Sequence, residues 1–219
     1  MDARQALEQL MAGNRRYLTE GVRHPHQSAQ RVAEVAGEQH PIAVVLGCSD
    51  SRVLPEVAFD CGVGDLFVVR VAGNVLDDVV LGTIEFAVVA LGIQLVIVLG
   101  HERCGAISAA ITGLKLQGHM ASLMAALQPA IDCTDRSTQD RDGDRGRDGG
   151  RDRVIGASFD PIEAAVRANV RITVAKLRAS EPILADSVRS GRLTVIGARY
   201  GLDNGRITIL GETDIYSII

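Results

Sequence analysis

Two apolar runs, at residues 42–47 and 95–100, constrain the fold of this chain more than any other feature. Both are rich in Val, Ile and Leu and carry no charge, which is typical of strands buried on both faces of a parallel sheet. Each run is followed at once by side chains that bind metals: Cys48 after the first, His101 and Cys104 after the second. Because the carboxyl ends of parallel strands meet at one sheet edge, we expect these three side chains to converge there.

The rest of the chain repeats the alternation of strand and helix. Further strands are predicted at 66–71, 193–198 and 206–210, and helical spacing of apolar residues is found at 3–20, 77–91, 105–116 and 161–179. Asn204-Gly205 marks a tight turn before the last strand, which favours an antiparallel edge. The pattern predicts an α/β fold: a mostly parallel central sheet of four strands plus an antiparallel edge strand, helices on both faces and an N-terminal helical arm.

Length and composition predict a single domain over residues 1–219. The chain is 47% hydrophobic, which is enough to build one core from Val, Ile, Leu and Ala. Residues 132–153 differ sharply, because they contain seven Asp and six Arg and almost nothing apolar. A segment of this composition buries too little surface to order itself, so we expect a flexible low-complexity insertion there.

Charge and hydropathy exclude several classes of partner. The net charge is −4, so clustered basic charge for nucleic acid is not expected. The apolar stretches are all shorter than the roughly 18 residues needed for a membrane span, and residues 1–20 do not resemble a secretory signal. Four cysteines in such a chain are more typical of metal ligands or buried thiols than of disulfides, so a cytoplasmic location is expected.

The three potential ligands predict a particular kind of metal site. Two thiolates and one imidazole, from Cys48, Cys104 and His101, can hold zinc in a tetrahedral arrangement. A set of three protein ligands leaves the fourth position for a water, a substrate or a nearby carboxylate such as Asp50. This is the pattern of catalytic zinc sites rather than of closed structural ones.

The two motifs together carry a family resemblance. Cys-x-Asp-Ser-Arg at 48–52, followed about fifty residues later by His-x-x-Cys-Gly at 101–105, resembles the β-class carbonic anhydrases. Segments 64–74 and 82–88 are also similar, and the resemblance covers about residues 5–128 and 154–212. It implies one zinc per chain on Cys48, His101 and Cys104. It also implies reversible hydration of carbon dioxide to bicarbonate and a proton by zinc-bound hydroxide, which an Asp50–Arg52 dyad orients.

The resemblance also implies a substrate pocket formed by Gln39, Phe67 and Phe86. Gln39 matches a glutamine that donates a hydrogen bond to substrate, although it is also consistent with a polar residue in an exposed turn. Phe67 suits a pocket wall or plain core packing equally. Phe86 stands where the open-site, plant-like subtype usually has tyrosine, so a proton route through that hydroxyl is absent. The chain has no Trp, and Val45 stands where the closing subtype places one, so the open subtype is favoured.

Two other functions remain compatible with the same ligands. A relative that hydrolyses carbonyl sulfide or carbon disulfide would use the same scaffold, and a zinc-stabilised or bicarbonate-responsive module would not be an enzyme. The intact Cys-Ser-Asp-Ser-Arg motif and Gln39 favour the anhydrase. The resemblance further implies a homodimer or a dimer of dimers, with the amino-terminal helix reaching across the partner and the pocket at the subunit boundary.

Overall fold

The structure, a computed structural model, describes residues 1–114, 117–143 and 159–211, with no side chains described for 135–143. Its centre is a five-stranded sheet in the order β2-β1-β3-β4-β5. The first four strands are parallel and β5 pairs with β4 in antiparallel fashion, as predicted. The strands are β1 (Ala43–Gly47), β2 (Leu66–Arg70), β3 (Leu95–His101), β4 (Thr194–Tyr200) and β5 (Ile207–Leu210).

Eight α-helices accompany the sheet within the described ranges. They are α1 (Ala3–Leu18), α2 (Ala29–Glu34), α3 (Pro55–Ala58), α4 (Asp78–Ala90), α5 (Gly105–Ile111), α6 (Met120–Gly143), α7 (Pro161–Arg178) and α8 (Ile183–Arg189). The prediction that a helix continues to residue 116 is wrong, because α5 stops before Gly113, whose φ of 62° is left-handed. The short helices α2, α3 and α8 were not predicted, since four to seven residues show too little periodicity.

Strand β2 differs from the expectation that it is buried on both faces. It lies at one edge of the sheet, and its residues are partly exposed, whereas every residue of β1 and β3 is buried. Its apolar run resembles that of a central strand, but only β1 lies beside it in the described sheet. The outer edge of β2 therefore leaves backbone hydrogen-bonding groups available for another chain.

Helix α6 extends into the segment predicted to be a low-complexity insertion. It runs to Gly143, and Ile131 and Thr134 are buried near the start of the segment. Apolar residues upstream anchor the helix before the charged stretch begins, and the flexible low-complexity insertion stays a prediction. Residues 144–153 of the predicted insertion lie outside the described residues.

Helices cover both faces of the sheet, as predicted. On one face Leu10 of α1 packs with strand residues such as Ile97, and on the other Ile84 of α4 and Leu177 of α7 pack with Val96. The N-terminal helix thus lies against its own sheet. None of the helices in the described ranges is long and apolar enough to cross a membrane.

Candidate metal centre

The order of the strands brings the two sequence motifs together. The chain leaves β1 for β2 on one side and later returns to β3 on the other, so β1 and β3 flank the point at which strand order reverses. Cys48 directly follows β1, His101 is the last residue of β3, and Cys104 is the N-cap of α5. The predicted convergence is confirmed.

The three side chains form a compact, buried group. Their ligand atoms all lie within 4.8 Å of one another, and the Sγ atoms of Cys48 and Cys104 are 4.0 Å apart. Two thiolates on a tetrahedral zinc, with Zn–S bonds of about 2.3 Å, would place their sulfurs about 3.8 Å apart. The spacing of the two sulfurs therefore fits the ion.

The imidazole of His101 is oriented so that its Nε2 atom can bind a metal ion. Its Nδ1 lies 2.8 Å from the carbonyl oxygen of Glu102, which selects the tautomer with the proton on Nδ1. Its Nε2 is buried and has no hydrogen-bond partner among the described residues. A buried nitrogen without a partner is costly, and a metal ion bound between Nε2 and the two sulfurs would satisfy it.

The two cysteines form an unequal pair. The Cys104 thiol beside Cys48 lowers the pKa of Cys48, and the backbone N–H of Gly73, 3.2 Å from Cys48 Sγ, lowers it further. The same contact raises the pKa of Cys104, since two buried thiolates would repel each other. A divalent cation removes this conflict, because it allows both sulfurs to be ionised.

Gly73 is held in place from two sides. Its φ of 66° is left-handed, and an added Cβ would come within 3.2 Å of Leu127, so a larger residue would disturb the loop. Its carbonyl accepts a hydrogen bond of 2.8 Å from the buried side chain of Asn169 in α7. Sequence reasoning missed Asn169, although an asparagine within the apolar face of a helix indicates a buried polar contact.

Asp50 and Arg52 form a closed pair next to the ligands. Arg52 donates to both carboxylate oxygens of Asp50, at 2.9 Å through Nε and at 2.7 Å through Nη2. These bonds hold the pKa of Asp50 well below its usual range. Asp50 Oδ2 also lies 3.9 Å from His101 Nε2, so the carboxylate faces the centre while the guanidinium restrains it.

Arg70 fixes the loop that carries this pair. From the end of β2 its guanidinium donates to the carbonyl oxygens of Cys48 (3.0 Å) and Asp50 (2.7 Å). Two charge-assisted bonds to one turn restrict its backbone. Arg70 therefore positions the candidate ligand Cys48 together with Asp50.

The three predicted pocket residues lie away from the ligands of their own chain. Gln39 is exposed and precedes the amino end of β1, whereas Cys48 follows the carboxyl end of that strand. Gln39 therefore lies towards the opposite end of the strand from Cys48. Phe67 pairs with Val44 in the first half of β1 and packs against the core below α4. Phe86 is 55% exposed on the outer face of α4. Within one subunit the structure does not bring these residues to the metal centre.

The sequence of this chain is similar to those of known carbonic anhydrases. The family model described as carbonic anhydrase matches residues 43–207. Carbonic anhydrase 2 of Mycobacterium tuberculosis (strain CDC 1551 / Oshkosh) is 37% identical over 208 residues, covering 93% of this chain and 91% of that protein.

Solved structures show the same fold. The β-carbonic anhydrase CcaA superposes with a TM-score of 0.69 at 27% identity, covering 94% of this chain and 96% of that one. The Coccomyxa β-carbonic anhydrase, solved with acetazolamide, gives a TM-score of 0.66 at 25% identity, covering 97% and 92%. The matched region contains all three candidate ligands together with Asp50 and Arg52. The chain therefore belongs to the β-class carbonic anhydrases, a family of zinc-dependent lyases.

Proposed function

We propose that this enzyme catalyses the reversible hydration of carbon dioxide to bicarbonate and a proton, with one zinc ion per chain held by Cys48, His101 and Cys104. The observation that carries the proposal is the combination of three converging ligand atoms with a carboxylate restrained beside them. A structural zinc site would not require the Asp50–Arg52 pair. The family and the relatives support carbon dioxide as the substrate.

The chemistry divides between the ion and the chain. Zinc, when bound, supplies a Lewis acid that lowers the pKa of water and makes a nucleophile available at neutral pH. Asp50, kept ionised by Arg52, would accept a hydrogen bond from the O–H of the nucleophile and so direct its lone pair at the carbon of carbon dioxide. The Gly73 N–H draws charge from the Cys48 sulfur, which limits how far two thiolates weaken the electrophile.

We propose that the site is of the open, plant-like subtype. Arg52 occupies both oxygens of Asp50, so moving the carboxylate onto the metal would break two charge-assisted hydrogen bonds. The absence of Trp and the presence of Val45 support the same choice. In this subtype Asp50 acts as an acceptor and not as a fourth ligand.

The positions of Gln39, Phe67 and Phe86 support a homodimer with the pocket at the subunit boundary. All three lie on the side of the molecule formed by β2, α4 and the approach to β1. This side has an open strand edge and an exposed apolar face on α4, which consists of Val79, Gly82, Phe86 and Val89. A second copy packed there would bury this face and bring the three residues of one subunit towards the centre of the other.

A cytoplasmic location is proposed because the metal centre needs reduced cysteine thiols. Cys48 and Cys104 form no disulfide, and the centre needs both of them reduced in order to bind metal. A reducing compartment keeps such thiols available.

The decisive experiment is stopped-flow measurement of carbon dioxide hydration by the zinc-loaded protein between pH 7 and pH 9. We expect hydration well above the buffer rate, loss of activity after zinc removal with a chelator, and recovery when zinc is restored. Absence of hydration in protein that carries one zinc per chain would overturn the proposal. Hydrolysis of carbonyl sulfide or carbon disulfide by that same preparation would then identify the alternative activity.

A further inference from the structure

Glu102, the first of the two residues between His101 and Cys104, is fixed through both of its backbone polar groups. Its N–H donates to the carbonyl oxygen of Tyr200 at the end of β4, at 3.1 Å. Its own carbonyl oxygen lies 2.8 Å from Nδ1 of His101. The peptide groups of Glu102 thus set the orientation of the imidazole ring, so their position matters for the metal.

The side chain of Glu102 makes a second set of contacts to neighbouring elements. Its Oε2 accepts a hydrogen bond of 2.7 Å from the backbone N–H of Leu202 in the β4–β5 turn, and its Oε1 accepts one from the guanidinium of Arg199. Arg199 Nε lies 2.5 Å from Oε1 of Glu163 in α7. The side chains of Glu102, Arg199 and Glu163 are only 20%, 18% and 22% exposed, so solvent screens the network weakly.

We propose that Glu102 is a positioning residue for the metal centre, and that its carboxylate, held by Arg199 and the Leu202 N–H, fixes the carbonyl that orients His101. The proposal rests on metal binding by Cys48, His101 and Cys104. A residue tied at its amide, its carbonyl and its carboxylate has little freedom to rotate. Glu102 therefore transfers the rigidity of β4 and α7 to a single ligand, His101.

The neighbouring ion pair supplies a matched control. Arg103 also follows His101, and its guanidinium binds Asp203 in the same β4–β5 turn through bonds of 2.9 and 2.6 Å. These side chains are 52% and 71% exposed, and the bonds between them do not involve His101. Asp203→Asn thus weakens the contact between the loop after His101 and the β4–β5 turn. It leaves the side chain of Glu102, whose carbonyl oxygen is the partner of His101 Nδ1, unchanged.

Glu102→Gln is the test variant. It keeps the size of the side chain but replaces one acceptor oxygen with an NH₂ group, which must face a donor, either Arg199 or the Leu202 N–H. We expect the zinc Kd, measured by competition with a chromophoric chelator, to rise about 10-fold or more, as when other outer-shell partners of a ligand are removed. Asp203→Asn is expected to keep the wild-type Kd.

Cobalt substitution gives a readout independent of turnover. In Co²⁺-loaded Glu102→Gln we expect the ligand-field bands to shift because His101 is less restrained, while the thiolate-to-cobalt charge-transfer band from Cys48 and Cys104 is retained. Arg199→Met, which removes the other half of the contact, is expected to produce the same change in the ligand-field bands. Melting curves of the metal-free proteins identify any variant that fails to fold, and the remaining variant then decides.

The outcomes separate this inference from the proposed function. If wild-type protein binds no zinc or cobalt at the three ligands, the metal centre itself is wrong and this inference is wrong with it. If wild type binds metal but folded Glu102→Gln and Arg199→Met keep its Kd and cobalt spectrum, only the positioning role is overturned. The positioning role is also overturned if Asp203→Asn changes the Kd and the cobalt spectrum as much as Glu102→Gln and Arg199→Met do.

Discussion

At the scale of single residues, the centre depends on groups that are incomplete without a cation. His101 Nε2 is buried without a partner among the described residues, and the buried sulfurs of Cys48 and Cys104 lie only 4.0 Å apart. Asp50 is different, because Arg52 already satisfies both of its oxygens. This difference supports the proposal that Cys48, His101 and Cys104 hold the metal and that Asp50 acts beside it.

We expect Asp50→Asn to keep its zinc and lose most of its activity. An amide oxygen accepts a hydrogen bond less strongly than a carboxylate, and the amide NH₂ would oppose one of the Arg52 donors, so kcat for hydration should fall by about 100-fold or more. Zinc content by atomic absorption should remain one per chain, and Asp203→Asn serves as a control for loss of an exposed Asp–Arg pair. Loss of zinc from Asp50→Asn would instead identify Asp50 as a ligand and favour the closing subtype.

Phe86→Tyr tests the pocket residue that departs from the usual tyrosine. Phe86 is 55% exposed on α4 and lies outside the apolar cluster that contains Cys48 and Cys104, so zinc content should not change. If the partner subunit uses this position in the pocket, the added hydroxyl should raise hydration at low buffer concentration, where proton removal limits the rate. A variant with less zinc than wild type would contradict the view that this residue only lines the pocket.

At the scale of elements, buried polar side chains connect the helices to the loops around the sheet. Asn14 of α1 donates to the carbonyls of Ala58 and Gly205 and accepts from the N–H of Ile207, which ties this helix to α3 and to β5. Asp60 accepts from Arg16 of α1 and from the backbone N–H groups of Arg23 and His24. Such bonds specify where α1 lies, whereas its apolar face alone would tolerate sliding.

Asp60→Asn should reduce stability in a pH-dependent way. Burial alone would raise the pKa of Asp60, but the bonds from Arg16 and the two backbone groups outweigh it and lower the pKa. Because the pKa of Asp60 is lower in the folded state, its carboxylate stabilises the fold. This stabilisation is complete at pH values above the unfolded-state pKa of about 3.9, and it is lost as the pH falls through the folded-state pKa. At pH 7 we expect a loss of about 2 kcal/mol in the free energy of unfolding.

The measurement is urea unfolding of wild type and Asp60→Asn at pH 7 and at pH 3.5. Because acid also protonates the metal ligands of both proteins, the informative quantity is the difference between them, which should shrink at the lower pH. Glu8→Gln, which removes an exposed pair with Arg4, should unfold like wild type. A difference that stays constant across this pH range would show that the ionised form of Asp60 contributes nothing.

At the scale of the whole molecule, the β2 edge of the sheet lies beside an exposed apolar face of a helix. On the side of β4, the antiparallel strand β5 and helix α7 complete the fold, while β2 ends the sheet with partly exposed residues. Helix α4 beside it exposes Val79 and Val89 at 77% and 66%. An open strand edge next to an apolar helix face is typical of a surface that another subunit covers.

Val89→Glu tests the proposed dimer. A buried charge in a subunit interface is costly, so this variant should shift the protein towards monomer in analytical ultracentrifugation at micromolar concentration. Activity should fall with dissociation while zinc stays bound, since each pocket would lose the residues supplied by the partner. An active Val89→Glu monomer would show that the pocket is complete within one chain.

The sequence by itself determined the alternation of strand and helix, the three ligands and the Asp50–Arg52 pair. Buried strands and short metal motifs are local patterns, and a parallel sheet leaves few ways to arrange them. Only the tertiary structure decided that β2 is an edge strand, that α6 continues to Gly143 and that Gln39 lies away from the ligands of its own chain. Glu102, Asn169 and Arg199 were likewise found only in three dimensions. Their role depends on contacts between elements far apart in the chain, and no local pattern encodes such contacts.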